Sequence, residues 1–176
     1  MGSPSRISAG LRLWQEEWSP RLELAERQVA AVRSSRLAVA ALREHFRAYR
    51  QDLNSHADGM TVVAILKLLD HLWVATGLAP ESADVDDIFD LIPAVRIAAR
   101  AALDRGETAG AHATLGELCL VSGDQASPGD RELALRHYAE ARVSAGDRDA
   151  LLERLRLFAA LGFRPALVSD ALKTLG

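Results

Sequence analysis

Five histidines, His45, His56, His71, His112 and His137, and one cysteine, Cys119, are the side chains here best suited to metal ligation or nucleophilic chemistry. Their spacing does not gather them. No His-x-x-x-His or His-Glu-x-x-His places two imidazoles on one helical face. His56 and Asp58 share a turn, but two ligands do not make a site, so no metal is expected. Cys119 sits in Leu118-Cys119-Leu120. Apolar surroundings raise a thiol's pKa and leave it inert, so it reads as a small core residue. Asp70 and His71 are neighbours, and neighbours on a helix point about 100° apart, which separates a carboxylate from the imidazole it would have to orient. No Gly-x-x-x-x-Gly-Lys-Ser/Thr loop, Gly-x-Gly-x-x-Gly turn or Gly-x-Ser-x-Gly elbow occurs. The expectation is a non-catalytic chain without a cofactor.

Other residues suggest recognition rather than reaction. Trp14 and Trp18 are four apart and share a helix face. They form either a cap packed on the next helix or a partner-docking patch, Trp being enriched at interaction hot spots. Between Pro80 and Asp90 lie Glu81, Asp84, Asp86, Asp87 and Asp90 with no basic residue. This is a solvated acidic loop or a site for a cation or basic partner; its spacing is not that of an Asp-x-Asp-x-Asp-Gly calcium loop. A pocket between this segment and the helix carrying Arg96 and Arg100 would suit a small molecule or nucleotide.

The elements that must position these groups are helical. The chain has 176 residues, 49% apolar and 26% charged, which suits one globular domain with a real core. Aromatics are only 5%, Ala and Leu dominate, and no segment alternates apolar with polar residues as a strand would. The fold class is all-α. A net charge of −3 argues against a nucleic-acid binder, and no apolar run reaches the ~20 residues of a membrane span. The opening residues lack an apolar signal core, so a cytoplasmic protein is expected. Residues 1–50 hold nine Arg against five Glu, and residues 51–130 hold four basic against thirteen acidic residues. That asymmetry is either plain solvation or a basis for head-to-tail self-association or for a partner of mixed charge.

Punctuation places the helices. They run near Ile7–Glu17, from Ser19-Pro20 to about Leu53 with a break at Ser34-Ser35, over Met60–Thr76 after an Asn54–Gly59 turn, and from Pro93 to Arg105-Gly106. Further helices cover about Ala111–Val121, Asp130–Ala145, Asp147 to Gly162, and Pro165–Leu175, with a polar loop at Gln125–Gly129. Short Gly- or Asp-containing turns between them predict antiparallel hairpins stacked as an α-solenoid.

Leu115-Gly116, Leu118-Cys119, Gly123-Asp124, Ala134, Tyr138 and Ala141 resemble a tetratricopeptide repeat, which pairs Leu-Gly in its first helix with Ala, an aromatic and Ala in its second. Gly116 would let the second helix approach at Ala134, with Tyr138 filling the space beside them. The loop after Gly123 is longer than the motif's, His112 stands where an aromatic is usual, and the closing Pro is missing. Leu69-x-x-Leu72 before Gly77, and Leu157 before Gly162, echo the same turn.

The block order resembles more specifically the sensor-type tetratricopeptide domains of bacterial conflict systems, which are similar to a TRAFs-binding helical domain. The blocks are Phe46-Arg47-Ala48-Tyr49, Asp58-Gly59-Met60-Thr61, Ala111 to Glu117, and Glu153 to Leu157. That resemblance implies one domain over 1–176: capping helices in 1–35, a repeat core over 36–162 and a capping helix in 163–176. It also implies a protein partner, an effector acting in trans. Aligning the Gly-terminated helices brings His71, Glu117 and Arg156 into register. In the resembled family that position faces the concave groove, so the three would bind a polar or charged peptide, unless Glu117 and Arg156 pair with each other.

Overall fold

The computed structural model describes residues 39–76, 91–122, 128–141 and 145–176. Among them are helices and no strand, as the composition predicts. In chain order the helices are α1 (39–49), α2 (His56–Thr76), α3 (Leu91–Asp104), α4 (Thr108–Val121), α5 (Pro128–Glu140), α6 (Ala145–Ala160) and α7 (Pro165–Leu175). Trp14, Trp18, the proposed capping helices of 1–35 and the acidic run Glu81 to Asp90 lie outside the described residues.

Local chemistry sets the boundaries. α3 and α6 end in the same device. Gly106 (φ 85°) and Gly162 (φ 67°) adopt the left-handed conformation that a Cβ disfavours. Gly162 N–H donates to Ala159 O at 3.1 Å and Phe163 N–H to Phe158 O at 2.9 Å. Gly106 N–H donates to Leu103 O at 2.9 Å and Glu107 N–H to Ala102 O at 3.0 Å. These paired bonds satisfy carbonyls that a helix end leaves open. The hydrophobic contact that accompanies this motif is also present after α6, where the Phe158 and Phe163 rings lie 5.2 Å apart. Pro93 sits in the third position of α3, within the first turn, where its missing N–H leaves no helical bond unmade.

Five starts, those of α2 to α6, fall earlier than expected, α3 at Leu91 and α6 at Ala145 among them, and α5 ends at Glu140 rather than at Ala145. α2 begins at His56, inside the segment read as a turn, because Ser55 caps it. The Ser55 hydroxyl donates to Asp58 at 2.6 Å and accepts the Asp58 N–H at 3.4 Å. Gly59 is therefore a helix residue. A Cβ there would lie 2.5 Å from Val95 Cγ2 and 2.8 Å from Tyr49 Cε2, so its role is to let α1, α2 and α3 cross closely. α4 begins at Thr108 and carries Gly110 within it, and α5 begins at Pro128, within the segment read as a loop.

One core runs through all seven helices. Leu42 and Tyr49 of α1, Met60, Leu66 and Leu69 of α2, Val95 of α3, Leu118 of α4, Tyr138 of α5, Leu155 and Phe158 of α6 and Val168 of α7 are buried in it. Consecutive helices α3/α4, α4/α5 and α6/α7 pack on each other, and α4 also packs on α2. The α4/α5 pair is antiparallel, since His112 near the start of α4 meets His137 near the end of α5. The α6/α7 pair is antiparallel too: the Arg148 guanidinium near the start of α6 donates to the carbonyls of Leu175, the last residue of α7, and Gly176, just past it.

Candidate functional site

The centre of the molecule is α4. Ala111, Ala113, Leu115, Leu118, Leu120 and Val121 are all buried, so this helix is apolar around its whole circumference rather than along one stripe. Three of its polar side chains reach three different neighbours. His112 Nδ1 lies 2.9 Å from His137 Nδ1 on α5. Thr114 Oγ1 shares a 2.9 Å hydrogen bond with His56 Nδ1 on α2. Glu117 binds Arg154 on α6. His112 and Thr114 are two residues apart, about 200° around the helix, which is why they serve opposite neighbours.

The Glu117–Arg154 pair is a fork. Arg154 Nε donates to Glu117 Oε1 and a terminal nitrogen donates to Oε2, both at 2.8 Å. This two-point geometry is the stronger form of a carboxylate–guanidinium contact. Glu117 is 1% exposed and the Arg154 side chain 28%. Burial opposes the charge on Arg154, and Glu117 more than offsets it, so the guanidinium pKa stands above its ordinary value.

Tyr138 packs beside this pair. A Cβ at position 116 would stand 3.0 Å from its ring, so Gly116 is the seat of the tyrosine, and Ala134 and Ala141 are buried on the same face of α5. Burial first, then the Glu117 charge, hold the Tyr138 phenol well above its usual range, so it stays neutral. Burial likewise raises the Cys119 thiol, against the lowering influence of Arg96 and Arg100 from α3. Cys119 is half-buried against the core, in keeping with a packing role.

The three residues placed in register by their glycines occupy different settings. His71 is half-buried and donates from Nε2 to Leu161 O at 3.0 Å, capping the end of α6, with its ring edge-on to Phe163 at 5.5 Å. Glu117 is interior and committed to Arg154. Arg156 is exposed. The pairing of Glu117 with Arg156 is therefore corrected to Arg154. Two residues along α6 turn the side chain about 200° away, and α4, enclosed on all sides, turns Glu117 inward.

Sequence reasoning also missed the basic residues at helix C-termini. Arg164, itself left-handed at φ 43°, donates to Leu120 O at 2.8 Å and Ser122 O at 3.1 Å, at the end of α4. Arg148 serves α7 in the same way and His71 serves α6. Donors at these positions satisfy open carbonyls, and a cation there also complements the helix dipole. Only Arg148 carried a signal: an arginine in the first turn of α6 faces the end of α7 in any antiparallel hairpin.

The fold and these contacts define an all-α protein of packed helical hairpins. Compared with known proteins, the chain matches no family model, no curated protein and no solved structure.

Proposed function

We propose that this chain is a non-catalytic helical-repeat module that binds a protein partner, serving as sensor or adaptor for an effector acting in trans in a bacterial defence or signalling system. The observation that carries the reading is the α4/α5 hairpin. Gly116 lies beneath Tyr138, and Ala134 and Ala141 are buried beside it. This is the packing that the tetratricopeptide-like residues would need. The polar groups on α4 are spent on neighbouring helices, which supports a scaffold whose partner meets its outer surface. Arg156 is the exposed member of the groove trio and the place to probe that surface; Trp14 and Trp18 are a second docking surface.

The test is binding to a partner that copurifies in stoichiometric amount with the wild-type chain, measured against Arg156→Glu. The variant should lose at least about tenfold in affinity, the scale of one charged interfacial contact, while melting within a degree or so of the wild type. An unchanged affinity removes Arg156 from the interface.

A second reading is a small-molecule or nucleotide sensor. It would draw on Arg96 and Arg100 of α3, the latter exposed. A ligand that binds only the folded chain raises its melting temperature, so a nucleotide panel that leaves it unmoved eliminates this reading.

A further inference from the structure

His112 and His137 meet head to head. Their Nδ1 atoms are 2.9 Å apart and their ring centres 5.2 Å apart. The two separations differ by two ring radii, so both nitrogens lie close to the line joining the rings, and the N–H of one points at the lone pair of the other. Such a contact requires one proton between the two nitrogens. A neutral imidazole can supply the acceptor while its neighbour, neutral or charged, supplies the donor. When both rings are charged, both Nδ1 atoms carry a hydrogen, no acceptor remains, and two like charges face each other.

We propose that the His112–His137 bond is a proton-operated latch between α4 and α5, closed while the pair holds a single bridging proton and opened when each Nδ1 carries its own. Its position suits that role. His112 lies in the second turn of α4 and His137 in the last turn of α5, so the bond spans the end of the antiparallel hairpin away from its connecting turn, where two helices part most easily. The neighbouring contact is the seat of Tyr138 on Gly116.

Burial is the main thing that resists protonation of His137, and the charges around it act in the same direction: His112 from α4, Arg136 from its own helix and Arg100 from α3. α7 also packs on α5, but its ionic contact is Asp170 with Arg131, more than a turn from His137. Because the two Nδ1 atoms share one bond, protonation of one ring is coupled to that of the other. The proton that opens the latch therefore enters His137 below the ordinary imidazole range. His56, bonded to Thr114, joins α2 to α4 and leaves α5 untouched, so α5 is where the latch is read.

The experiment is nitrogen-15 NMR of the imidazoles together with amide hydrogen exchange on the full chain. It compares wild type, His112→Phe, which keeps an aromatic ring but cannot bond, and His137→Gln, whose amide can accept from a protonated His112. At neutral pH the wild type should show one Nδ1 protonated and the other bare. On acidification, exchange in α5 relative to α3 should rise about tenfold, the factor that one hydrogen bond represents, as the second proton enters. In His112→Phe, His137 should titrate in one step. In His137→Gln, the acid-induced rise in α5 should vanish. Two independent one-proton curves in the wild type would overturn the latch, as would an α5 response to acid that persists in His137→Gln.

Discussion

Breaking the Glu117–Arg154 fork should be sharply asymmetric. Arg154→Ala leaves a carboxylate at 1% exposure with no counter-charge, and stranding one member of a buried pair costs about 3–5 kcal/mol. Glu117→Ala leaves a guanidinium whose side chain is already 28% exposed. It can turn its head to water along its own stem, so the loss should be nearer the ~1–3 kcal/mol of an unmet polar group. The double variant Glu117→Leu, Arg154→Met removes both charges and should recover to within about 2 kcal/mol of the wild type, because buried pairs replaced by apolar residues are often neutral. Urea unfolding followed by circular dichroism reads all three. For a chain of this length the first loss corresponds to a fall in melting temperature of roughly 6–20 °C. If Glu117→Ala proved as damaging as Arg154→Ala, or if the double variant were worse than either single one, the pair would not be an interior charge held by a half-wet partner.

Two further perturbations follow from the same contacts. Gly59→Ala places a methyl 2.5 Å from Val95 Cγ2 and 2.8 Å from Tyr49 Cε2, whereas Gly116→Ala meets the Tyr138 ring at 3.0 Å. Overpacking of about 1–3 kcal/mol outweighs the ~1 kcal/mol gain in helix propensity more clearly at position 59, so Gly59→Ala should have the lower urea midpoint, and Val95→Ala should partly rescue it. Burial holds His45, His56 and His137 below the ordinary imidazole value, so beneath about pH 6.5 the unfolded chain binds more protons than the folded one. Stability should be greatest above that pH and fall on acidification through the folded-state values, by at most ~1.4 kcal/mol per pH unit for each histidine. Midpoints that stay level from pH 7.5 to 5.5 would contradict this.

What could be read from residues alone was what depends on local chemistry. Gly106 and Gly162 end α3 and α6 because a left-handed residue is needed there, and Pro165 opens α7 because its ring suits a first turn. Gly116 and Tyr138 were legible as a pair because size complementarity between a glycine and an aromatic is written in residue types. The misreadings came where meaning depends on a distant partner. Gly59 looks like a turn residue beside Asn54 and Asp58 until α1 and α3 are seen crossing over it. Glu117 looks like a surface acid because most glutamates are. The all-round apolar run from Ala111 to Val121 does mark an enclosed helix, but nothing near Glu117 in sequence says that Arg154 and not Arg156 lies opposite.

The enclosure of α4 also bears on where a partner can act. Its side chains bond to α2 through Thr114, to α5 through His112 and to α6 through Glu117, and its closing carbonyls are held by Arg164 from the α6–α7 connection. A change at any one of those contacts displaces a helix that four other segments grip, so on the proposed reading a partner would meet the outer helices rather than α4. Residues exposed there, such as Arg156 on α6 and Ile97 on α3 at 68% exposure, can be substituted without loosening the core. Substitutions on the two sides of that divide should therefore separate experimentally: outer-face changes should alter affinity at constant melting temperature, while contacts to α4 should move both together.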